Sequence, residues 1–444
     1  MSLKTTKEQF VSNLGGSDTQ EIINIMMVFI PIYATSQYIQ ESQLLMFVMH
    51  FVIPLLMVTL YVENKGLLYI FSILPILFME NSFNPLKTRS SKQFKKTKKN
   101  FLTAYRAHML IMTTIAILGV DFNVFPRKLA KVETWGTSLM DLGVGSFIFS
   151  GGIVARVKPT RSTSKASMKS LIFRKSNILF VLGLLRLIFV KNLEYQEHVT
   201  EYGVHWNFFI TLGLLPLVHD FIIQPFIGVT GINRGILALT LASSLELWLN
   251  KDERVLKFLI EAERNNLLSS NREGIYSFLG YVAIFLMGQE VGGSIILHPR
   301  KTSNDSKVMI FGSYKVSNTI ALGVYTVLCW TLNQLVLHVD KYYISRRFAN
   351  LPYVLWVVSY NLGFLTAYSF VDDILIREST DSMLTLINDN GLLLFLLANI
   401  LTGLINMSMN TLEASSPKSI IVLLAYCMAL YLGACILNKF KIKL

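Results

Sequence analysis

Charge is scarce in this chain, and negative charge scarcest of all. Only 16% of its 444 residues are Asp, Glu, Lys or Arg, and just 28 are acidic. A soluble domain of ordinary composition carries about a quarter charged residues, so a soluble globular enzyme is excluded. Cysteine is nearly missing. Cys329, Cys427 and Cys435 are odd in number and all lie in apolar stretches. That excludes a disulfide framework or paired-cysteine metal site and leaves them as small core hydrophobes. Several catalytic signatures are missing as well: His-x-x-x-x-Asp, Gly-x-Ser-x-Gly, His-Glu-x-x-His and a phosphate-binding glycine loop. No serine or cysteine stands in an activated setting, so a covalent acyl-enzyme is not expected. The stretch from Met1 to Gln20 is polar and lacks the apolar core of a cleavable signal, which leaves insertion to the first span.

What the chain has in quantity is apolar length. Hydrophobic residues make up 52% of it and fall in blocks rather than stripes. A helix needs about 20 residues to cross the hydrocarbon layer. About thirteen spans are expected, near 21–40, 44–62, 66–80, 102–120, 137–155, 176–191, 203–224, 231–250, 275–297, 313–339, 351–371, 391–410 and 419–437. The first and third are the weakest, one broken by Pro31 and the other short with Pro75 inside. The expected fold is an all-α polytopic membrane protein, residues 1–444 forming one membrane-embedded bundle with neither an internal repeat nor a soluble domain.

The net charge of +13 is read as topology rather than as a nucleic-acid surface. Lys87, Arg89, Lys92, Lys95, Lys96, Lys98 and Lys99 form one basic cluster, and Arg156, Lys158, Arg161, Lys165, Lys169, Arg174 and Lys175 another. Basic loops stay cytoplasmic, and such clusters also attract anionic headgroups or the phosphates of an acyl donor. Alternation then places a short N-terminus in the lumen and a short C-terminal tail with Lys439, Lys441 and Lys443 in the cytoplasm. The loops 121–136, 191–202, 251–274 and 340–350 all face the lumen. The acidic loop 372–390 falls on the cytoplasmic side, against its composition, though acidic residues weigh little in orientation.

Two titratable clusters share the lumenal edge. One runs from Val190 to Phe209 and holds Glu194, Glu197, Glu201, His198, His205, Trp206 and Asn207. A bare connector needs only a turn and a few solvated charges, so acids, imidazoles and hydrogen-bonding aromatics together suggest a site for a polar substrate at the membrane surface. The other runs from Asp121 to Asp141. Asp121 closes an apolar helix, Pro126 turns the chain, Arg127, Lys128 and Lys131 follow, and Trp135 sits where interfacial aromatics favour the headgroup layer. A carboxylate beside cations at a dry edge can be a tuned acid–base pair or a helix-end ion pair with snorkelling lysines. Gly143, Gly145, Gly151 and Gly152 smooth one helix face, for an acyl chain or for a neighbouring helix. Arg186 and Glu246 lie inside spans and need partners or a function, whereas Arg106 and His108 read as interfacial.

Five blocks in order carry a family resemblance: Val120 to Phe147, Val190 to Phe209, Asn271 to Gly280, Ser345 to Tyr353 and Asn390 to Asn399. With them the chain resembles the GPI inositol acyltransferase family along nearly its whole length. The resemblance implies an endoplasmic reticulum enzyme that moves a fatty acyl group, typically palmitoyl, from acyl-CoA to the inositol 2-hydroxyl of glucosaminyl-phosphatidylinositol. It also implies that Asp121 and Lys131 are the essential pair, ten residues apart on the lumenal side. The family's usual Pro-Arg-Arg reads Pro126-Arg127-Lys128 here. Substrate contacts are expected from Arg127, Lys128, Trp135, Asp141, Gly143, Gly145, His198, His205, Trp206 and Asn207. Acyl-CoA is a co-substrate; no metal, further cofactor, nucleic acid or obligate protein partner is expected, and membrane lipid is. His198 or His205 is the rival base. The alternative from another class is a lipid transporter or flippase, disfavoured by the missing repeats. A scaffold for lipid-modifying enzymes is a third reading. Another membrane-bound O-acyltransferase, relying on a histidine, is the enzymatic rival.

Overall fold

The computed structural model of the chain describes residues 9–37, 42–77, 100–155, 175–191, 199–251, 253–297, 307–310, 314–339, 342–374 and 382–440. The two basic clusters, apart from Lys175, lie outside these residues, as do Glu194, Glu197, His198, Lys441 and Lys443.

A helix occupies each of the thirteen expected spans, in an all-α bundle whose described sheet is a single hairpin. The first is α1 (Thr19–Met26) and α2 (Phe29–Ser36). The break between them falls ahead of Pro31, which takes the first turn of α2, where its missing N–H costs nothing. Next come α3 (Gln43–Met57), which contains a π-helical turn at Val48–Val52, α4 (Lys65–Leu77), α5 (Asn100–Gly119), α6 (Leu139–Val154) and α7 (Lys175–Lys191). One-turn α8 (Val199–Tyr202) precedes α9 (Phe208–Thr230), α10 (Arg234–Lys251), α11 (Glu253–Glu261), short α12 (Leu267–Ser270) and α13 (Arg272–Ile296). The antiparallel hairpin of β1 (Lys307–Ile310) and β2 (Tyr314–Ser317) leads to α14 (Asn318–Leu337) and α15 (Leu351–Ile374). The chain closes with α16 (Ser382–Asp389), α17 (Gly391–Ser408) and α18 (Ser416–Lys439). Seven of these helices are long and apolar enough to cross a bilayer: α5, α9, α13, α14, α15, α17 and α18. The protein is a multi-pass membrane protein.

Burial sorts the long helices into two shells. In α5, α13 and α15 the most apolar window is 78% buried, whereas in α14 and α17 it is only 17% buried. The first group is the protein core and the second faces lipid. Lipid offers helices no hydrophobic reason to associate, so close packing must hold the core. Glycine supplies it between α6 and α13: a Cβ on Gly152 would come within 2.2 Å of the Phe285 carbonyl oxygen, and one on Gly288 within 2.2 Å of that of Phe149. Glu246, inside α10, accepts from the Leu351 amide at 3.0 Å and from Asn250 at 2.8 Å. A carboxylate against the free N–H groups that open α15 is a favourable partner for its charge.

The loops assigned to the lumen meet at one end of the bundle. Ser345 donates to the Thr134 carbonyl at 2.6 Å, and the Gly136 amide to that of Ile344 at 2.8 Å. The Val204 amide reaches the Ser270 carbonyl at 2.9 Å. Glu273, fully buried, pairs with Arg264 at 2.6 Å and Arg347 at 3.1 Å. Four loops far apart in sequence thus form one polar cap. At the opposite end, Asp372 accepts from Tyr33 at 2.5 Å and from the Phe101 amide at 3.2 Å.

Candidate functional site

Beneath the polar cap a cavity of about 290 Å³ enters the core between α5, α6, α15 and α17. Its mouth lies where α5 ends. The guanidinium of Arg127 donates to the carbonyls of Val120, Phe122 and Phe125 at 2.9, 3.0 and 2.7 Å, satisfying acceptors that the helix end leaves open. Burial pushes this guanidinium's pKa down to about 10, against the opposing pull of Asp121. Held by this turn, Asp121 is 9% exposed and accepts a 2.7 Å hydrogen bond from Asn406 Nδ2, on α17.

Lys131 reaches the same cavity from the loop that follows. Its Nζ lies 2.6 Å from Glu201 Oε1, on α8. Arg346 Nη2 stands 3.5 Å from the same oxygen, and Arg346 Nε donates to Asp141 Oδ1 at 2.5 Å. The other oxygen of Asp141 accepts from the Val132 amide at 3.0 Å and from Ser138 at 2.7 Å. The circuit closes on itself: Glu201 holds the head of Lys131, and Asp141 fixes the backbone beside it. Burial works against the Arg346 charge, but Glu201 and Asp141 outweigh it and drive its pKa well up.

Below the mouth the wall turns mostly apolar, with Met112, Ala116, Leu142, Phe147, Phe364 and Phe395, interrupted by Thr113, Ser146 and Asn399. The cavity ends at Tyr105, His108, Asn361 and Tyr368.

Of the residues singled out in the sequence, Asp121, Lys131, Gly143, Trp206 and Asn207 line this cavity. Trp206 donates from Nε1 to Thr211 at 2.8 Å, and Asn207 caps α9 by accepting from the Ile210 amide at 3.1 Å. Others stand elsewhere. Lys128 pairs with Glu63 at 2.8 Å and Glu21 at 2.9 Å. Trp135 packs on Phe348, ring centroids 5.4 Å apart, and Gly145 abuts Val357, where a Cβ would come within 2.6 Å. Asp141 and Arg127 spend their polar atoms within the protein. His205 lies with Nδ1 3.4 Å from Asn271 Nδ2 and is not among the lining residues, while His198 lies outside the described ones.

Sequence reasoning alone misses Arg346 and, at the cavity's far end, Tyr105, Asn361 and Tyr368, and it names Glu201 without choosing it. Ser345 to Tyr353 was one of the resembling blocks, which was the available signal for Arg346. His108, read as interfacial, is instead 1% exposed in the core. Among the described residues no group of three or more His, Cys, Asp or Glu is arranged to hold a metal.

The comparisons with known proteins cover the same ground. The family described as GWT1 matches residues 3–437. The chain is 44% identical over 473 residues to GPI-anchored wall transfer protein 1 of Saccharomyces cerevisiae, covering 96% of each. It is 41% identical over 483 residues to GPI-anchored wall transfer protein 1 of Candida glabrata, and 38% identical over 483 residues to that of Candida albicans. Both of those alignments cover 99% of each chain. Over its whole matched length, polar cap and cavity included, the chain belongs to the GWT1 family.

Proposed function

We propose that this protein acts in GPI-anchor biosynthesis at the endoplasmic reticulum membrane, transferring a fatty acyl group from acyl-CoA to the inositol 2-hydroxyl of glucosaminyl-phosphatidylinositol. The observation that carries the reading is that Asp121 and Lys131 both line one cavity whose wall is mostly apolar and lies within the bundle. A lipid acceptor and a thioester donor both need a place where a polar headgroup meets hydrocarbon.

In this mechanism Asp121, oriented by Asn406, takes the proton of the inositol hydroxyl as its oxygen attacks the thioester carbonyl. The C–S bond breaks, the ester C–O bond forms, and the proton passes to the departing CoA thiolate. Lys131 stabilises the oxyanion of the tetrahedral intermediate. Glu201 fixes where that ammonium stands. Two features support a direct transfer over an acyl-enzyme: no described cysteine is among the lining residues, and the serine that is, Ser146, has no hydrogen-bond partner among the described residues to activate it. His205 is a poorer base on geometry, since its ring turns to Asn271 rather than into the cavity.

The test uses membranes containing the protein, labelled palmitoyl-CoA and glucosaminyl-phosphatidylinositol. Label in a phospholipase-resistant acylinositol product, lost in Asp121→Asn at equal protein level, is the expected result. Full activity in that variant removes Asp121 from the chemistry. No label with folded wild-type protein and both substrates present overturns the reading.

A further inference from the structure

The far end of the cavity has a function of its own. On α5 the lining residues descend from Val120 through Ala116 and Met112 to Met109, His108 and Tyr105. Between Gly119 and Tyr105 a helix rises about 21 Å, most of the way through a hydrocarbon core of about 30 Å. On α15 the lining residues are Tyr360, Phe364, Asn361, which meets Tyr105, and Tyr368, which meets His108. The wall between is mostly apolar, broken by Thr113 and Ser146, and the bottom is polar again.

That bottom is closed by hydrogen bonds made within the protein. His50 Nδ1 and His108 Nε2 stand 2.8 Å apart, and His108 Nδ1 is 2.6 Å from Tyr368 Oη. Tyr105 Oη donates to Asn361 Oδ1, and Asn361 Nδ2 donates to the Val357 carbonyl at 2.7 Å. Both ring nitrogens of His108 and both ends of the Asn361 amide are engaged. Phe29 stacks on His108 at 4.4 Å from outside the cavity, and His50, His108, Tyr105 and Tyr368 are all at most 3% exposed. Tyr360, which stacks on Phe364 at 4.5 Å, is a further lining tyrosine, and its hydroxyl has no partner among the described residues.

A headgroup would need donors and acceptors to spare, and this floor has committed most of its own. A methyl terminus needs only a surface that stops it. Opening the floor to admit more chain would break several buried hydrogen bonds together, each leaving a desolvated polar group without a partner. A purely apolar floor could yield by rotamer changes at much smaller cost.

From this we infer that the His50–His108–Tyr368 chain and the Tyr105–Asn361 pair form the gauge that sets acyl-chain length, with Met109 and Ala116 marking successive depths above it. The inference rests on the acyl-transfer reading and adds the part of the donor that the far end measures.

The experiment supplies acyl-CoA donors of graded chain length to the full-length protein in membranes and compares their transfer to glucosaminyl-phosphatidylinositol. In the wild type, rates rise with chain length until the cavity is full and fall beyond it. Ala116→Phe, high in the cavity, shifts the longest well-used donor to a shorter chain, and Met109→Trp, close to the floor, shifts it less. Each methylene excluded costs about fourfold in transfer, the value of one buried CH₂.

A second measurement needs no variant. A donor of optimal length carrying a bulky terminal ring is rejected by the wild type if the end is closed. Transfer by the wild type with no change of length profile in a folded Ala116→Phe overturns the gauge and leaves the reaction standing, as does efficient use of the ring-bearing donor. Failure of every donor in the wild type strikes the acyl-transfer reading instead.

Discussion

The two polar ends of the cavity are built from different chemistry. The mouth is ionic, with Lys131, Glu201, Arg346 and Asp141 linked at 2.5 to 3.5 Å. The floor is made of imidazoles, phenols and a carboxamide. Position in the bilayer explains the difference. A charge at the centre of the hydrocarbon layer costs several kcal/mol, about 2.5–3.5 on insertion scales, whereas at the interface water and headgroups share the cost. Neutral hydrogen-bonding groups can close a cavity deep in the bundle, while groups that take or stabilise charge during a reaction belong at its edge. On the proposed function and the gauge inferred above, chemistry and measurement fall at opposite ends of one cavity.

Substitutions at the two ends should therefore differ in kind as well as size. The largest effect is expected at the mouth on activity: Asp121→Asn should lower acyl transfer by about 10²- to 10⁴-fold, the range for loss of a general base, with little change in thermal unfolding. Arg346→Met should act on stability. It strands Asp141, 0% exposed, and removes one partner of Glu201, and breaking a buried pair by deleting one member costs about 3–5 kcal/mol. Thermal unfolding of the detergent-solubilised protein measures it. An unchanged melting temperature would mean that the ionic circuit is not what holds the cap together. At the floor, Tyr105→Phe keeps the ring and deletes one neutral hydrogen bond, leaving the Asn361 oxygen without that donor, so about 1–3 kcal/mol of stability should go in the same thermal unfolding measurement. A loss as large as that of Arg346→Met would erase the distinction between the ends.

How far the sequence foretold this depends on the range of each interaction. Spans were legible because twenty apolar residues in a row are a local signal, and the clustering of loops 121–136, 251–274 and 340–350 followed from charge alternation. The break in the first span was legible too, although it falls at Met27–Val28 rather than at Pro31 itself. Partnerships were not. Lys131 and Glu201 are seventy residues apart, and Arg346 joins Asp141 across 205; only the packed bundle decides such pairs. The glycine face shows the same limit at short range. Gly143 and Gly145 are two positions apart, about 200° around a helix, so one lines the cavity while the other lies against Val357. His108 was misjudged because nearness to the start of a span was read as exposure, while α2, α3 and α15 cover it.

The smallest effect is expected just outside the mouth, at Lys128, and it shows how little a charge contributes once it leaves the buried circuit. Lys128 has two acidic partners, at distances within the range of those of Arg346, but its side chain is 36% exposed and that of Glu63 is 80% exposed. Hydrogen bonds donated to the Glu63 and Glu21 carboxylates raise its pKa above the ordinary lysine value. A cation whose pKa is raised by folding adds stability that is fully present below the unfolded value and is lost as the pH climbs through the folded one. The contribution should thus be constant around neutral pH and disappear in the alkaline lysine range. Solvent and salt screen it, so Lys128→Ala should cost less than about 1 kcal/mol at neutral pH, fade further at high ionic strength, and leave acyl transfer within about twofold of the wild type. A loss of transfer approaching that of Asp121→Asn would instead make Lys128 part of the mouth, and the boundary between ionic circuit and solvated rim would have to be drawn outside it.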